Sequence, residues 1–167
     1  MKLDLIRMVY AYSSWANNRI LETAANLTDE QFSASVGASF PSVHETLVHT
    51  LGAQRLWLQR FQKQAPTSFL RINDLPDLAS LQATWQEADR EMQAFLDGLD
   101  EAALAEVIHY RNSAGEEFAN PLWQTMSHQA NHAMQHRSEV AVMLTQFGHS
   151  PGGLDMILFI NTVAKPD

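Results

Sequence analysis

Between Leu78 and Leu99 the apolar residues Leu78, Leu81, Trp85, Ala88, Met92, Phe95 and Leu99 follow one another at steps that alternate three and four. That rhythm places all seven on one stripe of an α-helix; a strand, whose side chains repeat every second residue, cannot align them. A helix with a continuous apolar stripe has to bury it, and the natural partners are other helices.

Three more segments carry the same signal. Leu3, Ile6, Tyr10, Ile20, Ala24 and Leu27 lie at helical spacing near the N-terminus, and Asn17 falls on their stripe, so a polar side chain is expected to point inward there. Ser42 and Glu45 form a capping-box pair ahead of an apolar run, which predicts a helix starting at Ser42. The last long helix is expected to open near Asn120-Pro121, proline being favoured at a first helical position, and to run to Phe147. Gly148 then ends it as a left-handed cap. From Ala105 to Phe118 the period changes around Asn-Ser-Ala-Gly, which reads as a small hairpin or an irregular excursion. "LDMILFINTV" reads as a short closing helix, and Trp15, Trp57, Trp85 and Trp123 as core. The expectation is an all-α fold: a four-helix bundle with a short excursion before the last long helix and a short fifth helix, in one domain spanning residues 1–167.

Composition narrows the chemistry. A formal charge of −8 without a basic cluster argues against nucleic acid as a partner. No apolar run approaches the ~20 residues of a membrane span, and the N-terminus lacks the uninterrupted core of a signal peptide, so a cytoplasmic location is expected. There are no cysteines, which excludes disulfides, iron–sulfur clusters and thiolate zinc sites. Any metal is left to His, Asp, Glu or backbone oxygen.

Seven histidines remain, and His128, His132 and His136 stand four apart along the last long helix. Four residues is slightly more than one turn, so the three imidazoles share a drifting stripe. His132 and His136 can converge on one ion. The third ligand must then come from another helix, and His49, among Leu47, Val48 and Leu51, is the best placed. Three ligands with an open position are the catalytic form of such a site. Spacing alone equally admits surface imidazoles or hydrogen-bonded core ones. His128 reads as a fourth ligand, as a group that supports the ligands from behind, or merely as the residue one turn above them, and Asn17 is a further candidate for the wall behind the ligands. His44 lies in a capping turn, some 140° round the helix from His49, and is expected to be exposed, as are His109 and His149. Glu139, three residues past His136, reads either as a solvated side chain or as an imidazole-orienting or proton-carrying catalytic group. Arg137 is expected to pair with an acidic residue of a neighbouring helix, with anchoring of a substrate carboxylate the alternative.

"LVHTLGAQRLWL", "NHAMQHRSEVAVMLTQFGHSPGGLDMILFI" and the opening "YSSWANNRILETAANLTDEQF" resemble, in order and separation, motifs of the DinB-like damage-inducible metalloproteins. Residue by residue, the resemblance puts that family's metal triad on His49, His132 and His136. It also implies a four-helix bundle holding a divalent ion, usually zinc or nickel, and a homodimer. The function it implies is metal-dependent activation of water or of a low-molecular-weight thiol toward a small-molecule substrate, hydrolase- or thiol-transferase-like. The alternative is a non-catalytic metal- or ligand-binding bundle. Relatives often carry His-His-Arg-Gly-Gln where this chain has Gln135-His136-Arg137-Ser138-Glu139. The ligand and the arginine are kept, and the residues after them differ.

Overall fold

The computed structural model describes residues 2–36, 39–64 and 69–164; Met1 and residues 165–167, the ends of the expected domain, lie outside them. Four long helices dominate: α1 (Lys2–Ala24), α3 (Val43–Phe61), α4 (Leu78–Asp97) and α5 (Leu122–Gln146). The short α2 (Asp29–Ser33) precedes α3, and α6 (Met156–Thr162) closes the chain. One antiparallel hairpin, β1 (Val107–Arg111) with β2 (Glu117–Pro121), stands between α4 and α5. The fold is the all-α bundle that the periodicity predicts. No helix among the described residues is long and apolar enough to cross a membrane.

Interhelical bonds give the direction of each rod. Arg7 reaches the carbonyls of Leu96 and Leu99, Ser14 reaches Asp89, and Gln82 reaches the carbonyl of Leu21, so α1 and α4 run antiparallel. Tyr10 bonds Met126 while Asn17 accepts from Arg137, so α1 and α5 run parallel. His49 meets His132 while Trp57 meets His128, making α3 and α5 antiparallel. The order is therefore up, down, down, up, with the chain returning along the bundle between α3 and α4.

Local signals explain the helix ends. The Ser42 hydroxyl accepts from the backbone N–H of Glu45, as the capping pair predicts. Asp77 caps α4 in the same way through Ser80. Periodicity missed α2, a helix of 5 residues, although Thr28 and Gln31 bond reciprocally in a capping box at its start. Pro121 occupies the N-cap of α5 rather than its first turn, because it also ends β2 opposite Val107. Gly148, at φ +86°, terminates α5 in the left-handed conformation that other residues adopt at a cost.

The core has two apolar ends. Leu21, Leu47, Leu51, Leu81, Trp85 and Leu144 fill one, and Tyr10, Trp57, Met92, Leu96, Ile108 and Met126 fill the other. On α4 the buried stripe ends at Leu96, with Phe95 and Leu99 only half-buried, a one-residue departure from the predicted seam. Trp123, expected in the core, is exposed on the first turn of α5. Phe159 of α6 packs its ring 6.0 Å from Tyr12 and 5.7 Å from Trp15, laying the last helix on α1. Leu81 is wholly buried, and Leu81→Ala is expected to destabilise the bundle by about 2–5 kcal/mol in urea unfolding, the transfer loss plus an unfilled cavity. Between the two apolar ends lies a polar layer of Asn17, Thr50, Gln54, Gln129 and Arg137, all buried, with the inward-facing Asn17 where the stripe predicts it.

Candidate metal centre

α3 presents His49, and the antiparallel α5 presents His132 and His136 one turn apart, across the most extensive helix–helix contact of the fold. The Nε2 atoms of His49 and His132 lie 3.3 Å apart, and those of His132 and His136 3.2 Å apart. All three ligand atoms fall within 4.8 Å of one another. An ion about 2.0–2.1 Å from each nitrogen in tetrahedral array needs them roughly 3.3–3.4 Å apart, which the His49–His132 and His132–His136 separations match. Hydrogen bonding alone satisfies the trio poorly. A single ring proton on His132 would have to serve both neighbours, and the buried Nδ1 of the same ring has no partner among the described residues. A cation at the common point would satisfy every converging lone pair.

The carboxylate of Glu139 fixes one of these rings. His136 Nδ1–H donates to Glu139 Oε2 at 2.9 Å, which leaves the Nε2 lone pair aimed inward. The other oxygen of Glu139 accepts from the Ser39 hydroxyl at 2.6 Å. Burial pushes the Glu139 carboxyl up, but the hydrogen bonds from Ser39 and His136 outweigh it and hold the group below its ordinary value, ionised at neutral pH. Phe40 stacks on His49 with ring centroids 4.2 Å apart and meets His136 edge-on at 5.5 Å. Phe69 stands 5.7 Å from His49. It closes onto Gly52, where an added Cβ would come within 3.0 Å of its ring. The imidazoles thus sit behind an apolar collar.

Burial, and then the neighbouring imidazoles, lower the pKa of His49 and of His132 from 6.5 to about 4. Both are neutral at pH 7, with lone pairs available to an ion. In the metal-free protein the unfolded chain therefore takes up protons before the folded one does as the pH falls. Its stability is expected to be full above pH 6.5 and to decline toward pH 4, a slope that circular dichroism melts will register and that His132→Ala will flatten.

The other predicted residues fall elsewhere. His128 lies one turn from His132, ring centroids 6.0 Å apart, and packs edge-on against Trp57 at 5.2 Å; it is outside the converging trio. Asn17 bonds Arg137 rather than any of the three imidazoles. His44 is buried, contrary to expectation: its Nε2–H donates to the Leu75 carbonyl at 2.6 Å and its ring stacks on Phe32. α2 and the turn before α4 cover it, and those are the elements that helical periodicity leaves out. His109 is exposed as expected, and His149 is half-buried. Among the described residues Arg137 forms no ion pair of the kind expected. Nη1 donates to Ser13 and Asn17, at 3.1 and 2.8 Å, and the guanidinium lies 5.3 Å over the Tyr12 ring. Ser39, Phe40 and Phe69 lie outside any periodic segment, and nothing in the sequence pattern singles them out.

A mostly helical bundle with three converging imidazoles and, among the described residues, no fourth His, Asp or Glu in the group defines a candidate open metal site. The "DinB family" sequence profile matches residues 2–165, and the chain belongs to that family. It is similar to "Protein DinB" of Bacillus subtilis (strain 168), 20% identical over 164 residues, which cover 94% of each chain.

Proposed function

We propose that this chain is a divalent-metal-dependent enzyme in which His49, His132 and His136 hold a zinc or nickel ion. The observation that carries the reading is the convergence of three Nε2 atoms from two helices with no fourth protein ligand among the described residues. A divalent ion in that setting supplies Lewis acidity that lowers the pKa of a water or of a small thiol. Neutral imidazole ligands leave the full positive charge to act, where thiolates would offset it.

The protein's own residues would do the rest. Glu139 orients His136 and stabilises positive charge nearby; with both of its oxygens engaged, that positioning role fits it better than proton carriage. Phe40 and Phe69 limit the access of water and offer apolar surface to whatever approaches the open side. The substrate class favoured is a small molecule activated through water or a low-molecular-weight thiol. A homodimer, which the family resemblance implies, belongs to the same proposal.

The test uses untagged protein loaded with zinc or nickel and incubated with bacillithiol, mycothiol or glutathione plus a common electrophile, and separately with an ester panel. Metal-dependent turnover that disappears in His132→Ala supports the enzyme. Stoichiometric metal with no reaction across the panel would instead favour a non-catalytic metal-binding bundle.

A further inference from the structure

The side of α5 turned away from the imidazoles borders a cavity of about 500 Å³ between α1, α5 and the start of α6. At about 100° per residue, Ala130 and Met134 lie some 160–200° round the helix from His132, so this cavity is separate from the metal centre. Its walls are mainly apolar, with Val9, Ala130, Met134 and Met156 among them, and its volume falls in the range that accommodates small-molecule ligands.

One wall carries a charge. Arg137 lines the cavity and is 4% exposed, yet no carboxylate of the described residues pairs with it; Asp155 borders the same cavity without reaching it. Its hydrogen bonds to Ser13 and Asn17 both leave from Nη1, and these partners, like the Tyr12 hydroxyl beside the guanidinium, are neutral. A guanidinium stays protonated in proteins, and a buried one without a counter-ion carries a large desolvation cost. Its planar fork matches a carboxylate in two parallel bonds. Along α5 the lining runs from Met126 to Arg137, about 16 Å at 1.5 Å per residue, which leaves room for an alkyl chain beyond the charged end.

We propose that this cavity binds an aliphatic carboxylate, with the carboxylate group on Arg137 and the chain lying between α1 and α5 toward Val9 and Met126. Ser13 and Asn17 hold the guanidinium in place, and the Tyr12 ring backs it. This assignment is independent of the metal: the cavity uses the opposite face of α5, and loading the imidazoles is not required.

Titration calorimetry with octanoate tests it. Wild-type protein is expected to bind one octanoate per chain, with or without zinc, and to bind octan-1-ol at least tenfold more weakly. Hexanoate should bind about 15-fold more weakly than octanoate, at roughly fourfold per buried methylene. Arg137→Gln should lose at least tenfold for octanoate and little for octan-1-ol, a difference that a general loss of structure would not produce. Ala130→Phe should block both by filling the cavity. The comparison of acid with alcohol on the unaltered protein decides the matter even if a variant fails to fold. No binding of octanoate, equal binding of the acid and the alcohol, or unchanged binding by Ala130→Phe would each overturn the assignment. So would a change in sedimentation on adding octanoate, which would mark the groove as a contact between copies of the chain.

Discussion

Replacing His132 by alanine is expected to weaken zinc binding by about 100- to 1,000-fold. Structural zinc sites with four protein ligands bind with roughly 10–16 kcal/mol, or about 2.5–4 kcal/mol per ligand, and each 1.4 kcal/mol is a factor of ten. His132 is the largest single loss because its Nε2 is the atom that faces both other rings, at 3.3 and 3.2 Å. Removing it leaves His49 and His136 to hold an ion from opposite helices without the nitrogen between them. Competition titration against a zinc chelator measures the change directly. His128→Ala is the matched control on the same helix. Its ring stands against Trp57 outside the trio, so its affinity for zinc should stay within a few-fold of wild type. An equal loss in both variants would mean that helix packing, not ligation, sets the affinity.

The second large effect belongs to Glu139. Partners that orient a ligating imidazole typically contribute 10- to 100-fold in metal affinity, and Glu139→Ala is expected to lose that much. It strips the acceptor from His136 Nδ1 and the tie to Ser39 together. Glu139→Gln should lose less, because an amide oxygen still accepts from Nδ1–H while the charge that raises imidazole basicity is gone. The series glutamate, glutamine, alanine thus separates orientation from charge. If glutamine equals alanine, charge is the whole effect; if it equals wild type, orientation is. A readout of zinc affinity together with the pH midpoint of loading distinguishes both from simple destabilisation, since a weaker fold would lower the melting temperature without displacing that midpoint.

The sequence carries the bundle because burial of an apolar stripe is a periodic requirement, and α1, α3, α4 and α5 each write it out over 19 or more residues. It carries the site nearly as well, since two imidazoles four apart on one rod need only a third from a neighbour. What lies between the rods is less readable. The 5-residue α2 is too short to show a period, and it is α2 together with the turn before α4 that buries His44. Ser39 and Phe40 reach Glu139 and His49 from a segment without any period, so their contacts depend on tertiary placement alone. Arg137 illustrates the same limit. Charge pattern predicts an acidic partner, whereas the neighbouring faces of α1 supply Ser13, Asn17 and the ring of Tyr12.

X-ray absorption on untagged protein reconstituted with one equivalent of zinc addresses the site itself. The expected inner shell holds three imidazole nitrogens at about 2.0–2.1 Å plus one solvent oxygen, and it loses one imidazole in His132→Ala. A spectrum of zinc bound only by water and carboxylate oxygen, or one unaltered by that substitution, would contradict it.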